Sequence, residues 1–309
     1  MHMSAPNPAL LRPLVMVDWG TSSLRAAFAP AHVVMETRHS DQGILNVPAG
    51  GFPHTLQALC GDWLDQPDAL CLISGMAGSA QGWALAPYCP CPAGHAELAG
   101  HLHWVDPSRI ALVPGLSCEH RHAPDVMRGE EVQILGTLQL QGLQDAQLVL
   151  PGTHSKWVTV RAGRIEHFST FMTGELYAVM RQHSILGRTL PAMAHDEPMD
   201  EYHFDQGVRL GLQGGSVLHH LFGVRTLALM QRATPLALAS YLSGLVIGEE
   251  VRAQDLDAER TVWVVGSSAL QTRYARALAL RGVPTQVLGD TATWTGLLSL
   301  AAPLRQHTP

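Results

Sequence analysis

Asp18-Trp19-Gly20-Thr21-Ser22-Ser23 sets an acid at the end of an apolar run and follows it with a glycine and three hydroxyl residues. Gly20 lets an anion approach the backbone. Thr21 and Ser22, with Ser23 behind them, add the hydroxyl and N–H donors that a phosphate needs. An ionised aspartate beside a phosphate repels it unless a cation stands between them, so Asp18 reads as the carboxylate that holds a hydrated Mg²⁺. The same residues also suit an ordinary Asx-type hairpin turn. A second stretch, Pro151-Gly152-Thr153-His154-Ser155-Lys156, repeats the Gly-Thr pair in the same context. It offers Ser155 as a further hydroxyl and Lys156 as a cation for a phosphate; His154 is either a phosphate neighbour or a plain turn residue. A third, Val265-Gly266-Ser267-Ser268-Ala269, ends an apolar run and opens a helical pattern. Its N–H groups suit a nucleotide's phosphate or ribose, or simply a strand-to-helix turn.

These stretches need elements to hold them. Residues 14 to 38 read as three short strands joined by hairpins, 52 to 65 as a helix with Phe52, Leu56, Leu59 and Trp63 on one face, and 69 to 75 as a buried strand. Residues 76 to 94 are rich in turn formers. A strand over 110–116 and a helix over 129–140, with acids in its first turn, complete the first half. Residues 146 to 168 restart the order as three strands. Helices are expected over 174–183, 205–221, 234–252 and 268–281, strands over 261–269 and 285–290, and a closing helix over 292–301. The domain boundary falls near 142, giving 1–142 and 143–309. The apolar faces of 234–252 fit a core or a homodimer interface.

The chain has 309 residues, 46% of them hydrophobic and 15% charged, with a net charge of −6. No Lys/Arg run offers a nucleic-acid surface, and no apolar stretch reaches membrane-spanning length. The N-terminus lacks a secretion pattern, and residues 1 to 12 read as a disordered lead. Five cysteines without a framework point to a reducing cytoplasm. Seventeen histidines invite a metal reading, but Cys89 and Cys91 with His95, His101 and His103 have no established zinc spacing. G-x-x-x-x-G-K-[ST], G-x-G-x-x-G and G-x-S-x-G are all absent.

The paired Gly-Thr bends resemble the sugar kinase, Hsp70 and actin superfold. That resemblance implies an α/β fold of two duplicated ribonuclease H-like domains with a nucleotide cleft between them. Seven spaced segments narrow it: DWGTSSLRAAF, SGMAGSAQGW, APYCPCPAG, VPGLS, DVMRGEEVQILG, LPGTHSKWV and FSTFMTGELYAVMRQHSILG. Together they are similar to the 2-dehydro-3-deoxygalactonokinase family. The resemblance implies ATP-dependent phosphorylation of the 6-hydroxyl of 2-dehydro-3-deoxy-D-galactonate in galactonate catabolism, with ATP and Mg²⁺. A kinase of another hexose or keto-deoxy sugar acid is the nearest alternative. A non-catalytic nucleotide and sugar sensor is the next, although no DNA-binding extension is visible.

Phosphorylating a hydroxyl calls for a carboxylate within hydrogen-bond reach. Sugar kinases of the superfold carry Gly-Asp before a helix that ends in Leu-Gly; Gly129-Glu130 before Ile134-Leu135-Gly136 matches that register with Glu in place of Asp. The base therefore stands open among Glu130, Asp125 and Glu131. Acids in a first turn also serve the helix dipole alone. The substrate's carboxylate calls for an arginine fork: Arg25, two residues past Ser23 on its strand, or Arg128, with Arg181 and Arg188 behind them. Ser79, Gln81, Trp83 and Tyr88 fit a sugar pocket, although Trp83 suits a core equally well. Asn46 and Thr173-Gly174-Glu175 are further pocket candidates.

Overall fold

The structure is a computed structural model, and it describes residues 11–119, 123–192, 197–289 and 291–306. Most of the expected disordered lead, residues 1–10, lies outside the described residues. The opening strands β1 (Leu14–Trp19), β2 (Leu24–Ala29) and β3 (Glu36–Ser40) are antiparallel neighbours, with Asp18 opposite Arg25. Helix α1 (Phe52–Leu64) leads to β4 (Leu70–Gly75), which runs parallel to β1 with Asp18 level with Ser74. Strand β5 (Cys89–Pro90), helix α2 (His95–Gly100) and strands β6 (His103–Asp106), β7 (Ile110–Leu112), β8 (Leu116–Cys118) and β9 (Asp125–Met127) precede α3 (Glu130–Gln141). The first sheet has the order β3-β2-β1-β4-β7-β6, and a small sheet has the order β5-β8-β9. β1 and β4 are buried along nearly their whole length. That is why both read as unbroken apolar runs rather than as alternating ones.

The order then repeats with β10 (Ala146–Leu150), β11 (Ser155–Arg161), β12 (Arg164–Phe171) and α4 (Thr173–His183). Helices α5 (Glu201–Gln213), α6 (Val217–Leu229) and α7 (Pro235–Arg252) follow, then β13 (Val262–Val265), α8 (Ser268–Leu280), β14 (Thr285–Leu288) and α9 (Thr291–Ala301). The second sheet has the order β12-β11-β10-β13-β14. Each large sheet thus keeps its first strand inside, the next two on one side, and the later strands on the other.

The expected single helix over 205–221 is two helices. Gly214 and Gly215 take φ of +81° and +108°, a region closed to a right-handed helix, and Asp200 starts α5 by accepting from His203 N. α7 is a core helix: thirteen of its residues from Leu238 to Val251 form an almost unbroken buried run, which decides its role within its own unit.

The contacts divide the chain into two units. The first, over the described residues, is Met1–Asp145 with Thr159–Phe168 and Thr291–Pro309; the second is Ala146–Val158 with Ser169–Asp290. The core of the first gathers Trp19, Phe28, Phe52, Leu56 and Trp63 between β1, β2 and α1. The core of the second gathers Phe204, Val208, Ile247, Val264 and Tyr274.

The closing helix α9 lies against α3 in the first unit, and glycine makes this possible. A Cβ on Gly136 would lie 1.8 Å from the Ala292 carbonyl oxygen, and one on Gly296 would lie 1.8 Å from that of Val132. These helices touch backbone to backbone, so neither glycine can gain a methyl without parting them. Gly136→Ala is therefore expected to cost about 3 kcal/mol or more, whereas Gly100→Ala, with no atom within 4 Å of the added Cβ, should be neutral or stabilising. Denaturant melts of the two variants check this; equal stabilities would contradict it.

Candidate functional site

Three chain segments of the first unit meet at Gly75, the last residue of β4. Its φ is +91°, and a Cβ there would lie 2.7 Å from the Trp19 carbonyl oxygen and 3.5 Å from Asp18 Oδ1. Gly129, at φ +106°, would carry its Cβ 3.3 Å from Gly75 Cα. Only glycine fits both positions without strain. The junction sets the end of β1, the end of β4 and the start of α3 side by side, and so brings Asp18 to the same place as the Glu130-Glu131 turn.

Asp18 ends β1 with its carboxylate about one-fifth exposed, and Arg25 donates to Oδ2 from Nη2 at 2.5 Å and from Nε at 3.2 Å. No described residue donates to Oδ1, so this oxygen remains open to a cation. Arg25, a candidate for the substrate's carboxylate, is instead committed to Asp18 across the strand pair and lies 5.9 Å from the Trp294 ring centre. The turn behind Asp18 closes through Gly20 N donating to Ser23 O. Thr21 and Ser22 are exposed, as a phosphate turn requires. Asn46, in a short 3₁₀ turn, donates from Nδ2 to the Asp41 carbonyl, so its side chain braces the neighbouring loop.

The three acids before and within α3 occupy different surroundings. Glu130 is half-buried and accepts from Arg128 N at 3.1 Å. Glu131 is fully buried; its Oε2 accepts from Gly129 N at 2.7 Å, while its Oε1 is buried without a partner. Burial, with the negative Glu130 next to it, pushes the Glu131 carboxyl up to about 8. Asp125 lies on β9 opposite Cys118 and accepts from the N–H of Val126.

Arg128 stacks on Tyr88, its guanidinium carbon 4.5 Å from the ring centre, and donates from Nη2 to the Ala86 carbonyl. Its Nε and Nη1 are buried without partners, as are the hydroxyls of Ser74 and Ser79. With Glu131 Oε1, five buried polar atoms in this region thus lack hydrogen bonds, against the strong tendency of buried groups to be paired. Trp83 belongs to the core: it stacks with Phe52 at 6.3 Å and meets Trp19 edge-on at 6.4 Å.

In the second unit the Gly152 turn is clamped by the start of α4. Glu175 N donates to the Thr153 carbonyl, and the His154 and Glu175 side chains meet at 2.5 Å. A Cβ on Gly174 would lie 2.3 Å from the Gly152 carbonyl oxygen. Ser155 is fully buried and bonds to the Tyr274 hydroxyl at 2.8 Å, so its hydroxyl faces the core rather than the turn. Lys156 is only 5% exposed and donates to the His154 carbonyl. Behind them lies Glu250, which accepts from Trp157 Nε1 and the Tyr274 hydroxyl, both at 2.7 Å. Hydrogen bonds from Thr173 and Ser155 also favour its ionised form, but burial outweighs all of them and raises its pKa.

Gly152 and Ser267 line one cavity of about 270 Å³, close to the lower size for small-molecule sites. Sequence reasoning missed Tyr177, Glu197, Ser243 and Arg273 on its wall. Arg181, a secondary candidate for substrate, lies there too, held at 2.5 Å in a buried ion pair with Glu197. Glu197 and Ser243 follow from no local motif; their place is set by how α7 and the segment before α5 pack. Ser267 holds the N-cap position of α8 without a side-chain cap bond, and it lines this cavity with Ala269 and Leu270, a helix start of the kind that suits a nucleotide. Gly266 sits behind it, its carbonyl held by Gln271.

A profile of the 2-keto-3-deoxy-galactonokinase family matches residues 18–300. The 2-dehydro-3-deoxygalactonokinase of Escherichia coli (strain K12) is 33% identical over 290 residues, covering 93% of this chain and 97% of that protein. A Rhizobium meliloti (strain 1021) protein assigned the same activity is 35% identical, covering 92% and 95%. A crystal structure from Sinorhizobium meliloti, assigned to the 2-dehydro-3-deoxygalactonokinases, superposes with a TM-score of 0.86 at 34% identity, covering 94% of this chain and 99% of that one.

The raised Glu131 carboxyl makes a stability prediction. A glutamate in the unfolded chain titrates near 4.5 and this one near 8. Between those values the unfolded state releases a proton that the folded state keeps, so stability falls as pH rises. Glu131→Gln has no such loss. Its Tm advantage over the parent should grow from about pH 5 to about pH 8 and then level off; a difference independent of pH would contradict the burial of an acid there.

Proposed function

The chain belongs to the 2-keto-3-deoxy-galactonokinase family, and from that premise we propose which of its residues carry the transfer. The reaction moves a phosphoryl group from ATP to the 6-hydroxyl of 2-dehydro-3-deoxy-D-galactonate. Such a transfer depends on positioning and on charge stabilisation more than on covalent help.

The observation that carries the assignment is the contact of both Asp18 and Gly129 with Gly75. It supports a division of labour within the first unit. Asp18, to whose Oδ1 no described residue donates, would hold a hydrated Mg²⁺, which would supply charge neutralisation to the phosphates. The Gly20-Thr21-Ser22 turn donates to phosphate oxygens. Glu130 accepts a hydrogen bond from the 6-hydroxyl, orients it and takes its proton late in the transfer. The Arg128 N–H that bonds to Glu130 keeps the carboxylate aimed. Asp125 stands by as the alternative acceptor.

Arg128 receives the substrate's carboxylate. Its guanidinium is already oriented by Tyr88 and Ala86, and two of its nitrogens lack partners. A carboxylate would satisfy both with paired bonds. Ser79, also without a partner, donates to the sugar acid, and Tyr88 covers its C–H face. Arg25 serves Asp18 rather than the substrate.

In the second unit the nucleoside end of ATP occupies the cavity lined by Gly152 and Ser267, and the Gly152-Thr153 turn meets its phosphates. Ser155 and Lys156 act from behind, as supports of that turn. The two repeating strand orders support a duplicated ribonuclease H-like pair of halves.

An ATP-coupled assay across keto-deoxy sugar acids and plain hexoses tests the substrate; product with the galactonate-derived acid above all others is expected, and turnover confined to a plain hexose would contradict it. Asp18→Asn and Glu130→Gln should each cut kcat by about 10²–10⁴-fold while the protein stays folded. Arg128→Lys should raise KM for the sugar acid at least about tenfold and leave KM for ATP unchanged, because lysine cannot supply the fork. A KM change for ATP alone would assign Arg128 to the nucleotide.

A further inference from the structure

Glu131 stands out because nothing in the transfer described above uses it. It is a fully buried acid, at the start of a helix, with one oxygen bound to a backbone N–H and the other unpartnered. An acid that only complements the helix dipole sits in solvent, where it costs nothing to ionise. This one carries the desolvation cost and therefore needs a different account.

The N–H that Glu131 accepts belongs to Gly129, the residue at φ +106° whose Cα side lies against Gly75. Glu130 and Glu131 reach back in parallel, Glu130 to Arg128 N and Glu131 to Gly129 N. The second bond fixes the Arg128–Gly129 peptide, on the N-terminal side of the glycine that leads into Glu130. We propose that Glu131 is a positioning residue of the phosphoryl transfer: through Oε2 it locks the Gly129 peptide in the left-handed turn from which Glu130 is presented to the acceptor hydroxyl. This rests on the reading of Glu130 as the group that orients that hydroxyl.

The surroundings explain why the second acid does not spoil the first. The charged groups next to Glu131 are Glu130 and Arg128. The helix packed against it brings no counter-charge: α9 (Thr291–Ala301) contains no ionisable side chain. Asp18 in β1 is already paired with Arg25. In this setting Glu131 keeps its proton at neutral pH and adds no charge of its own to the turn. Above about pH 8 the buried acid ionises, and a second negative charge then faces both Glu130 and the incoming phosphates. A neutral carboxyl and a glutamine amide have the same shape, and each keeps a carbonyl acceptor for Gly129 N–H.

Three variants of the whole chain, Glu131→Gln, Glu131→Leu and Glu130→Gln, test this by steady-state kinetics from pH 6 to pH 10. The parent should lose kcat above about pH 8, whereas Glu131→Gln should keep kcat within about threefold of the parent at pH 7 and lack that alkaline fall. Glu131→Leu should lose about 10²-fold in kcat, as a small misplacement of a catalytic group does, with KM for ATP and for the sugar acid unchanged. Full turnover in Glu131→Leu overturns the proposal and leaves the reading of Glu130 standing. Full turnover in Glu130→Gln removes that reading and this proposal with it. A loss in Glu131→Gln as deep as that in Glu130→Gln also overturns the proposal, since Glu131 would then act on the hydroxyl itself. Should Glu131→Leu not fold, the pH profile of Glu131→Gln decides, and an unchanged alkaline fall overturns the proposal.

Discussion

The close approach of Gly75 to Trp19 on one side and to Gly129 on the other is the constraint on which the first unit's chemistry depends. Parallel strands end in line, and their ends are where an α/β fold presents its reactive groups. Here the ends of β1 and β4 are drawn together with a helix start by two residues that have no side chain. Any β-carbon at either position would force the backbones apart and separate Asp18 from the Glu130 turn. The helix that carries the turn is fixed in its turn by the glycine contacts between α3 and α9. Backbone contact, rather than side-chain packing, therefore sets the distance between Asp18 and the Glu130 turn.

The second unit uses a buried carboxylate in the opposite way. Glu250 is surrounded by donors from Trp157, Tyr274, Ser155 and Thr173, which lie on β11, α8 and α4. A buried acid satisfied on both oxygens ties elements together, and the cost of a lost partner makes such a network rigid. Glu250 thus anchors the strand that leaves the Gly152 turn. Glu131 is satisfied on one oxygen alone, which leaves it free to answer pH. The contrast between the two acids follows from the number of donors around each.

The two Gly-Thr bends and the repeated order of strands were legible in the sequence because they depend on local signals: apolar runs, turn formers and hydroxyl residues at fixed spacing. The family was legible through seven ordered segments, and the profile match over residues 18–300 agrees with it. The break between α5 and α6 was missed because the apolar pattern runs on through Gly214-Gly215, although the glycine pair itself was a readable signal. The place of Trp83 was undecided because an aromatic in a turn-rich segment packs inward or outward according to partners 30 or more residues away, here Phe52 and Trp19. Ser155 was read as a phosphate donor because its position in the turn is right; its hydroxyl turns inward because Tyr274, from another helix, is there to meet it. The burial of Glu131 was beyond local reading, since α3 packs against α9, which lies about 150 residues further along the chain.

One measurement bears on the account most directly: the structure of the protein crystallised with 2-dehydro-3-deoxy-D-galactonate. The account predicts the Glu130 carboxylate within about 2.6–3.2 Å of the terminal hydroxyl and the Arg128 fork on the substrate's carboxylate. A terminal hydroxyl held by Asp125 or Glu131, with Glu130 turned away from it, would contradict the account.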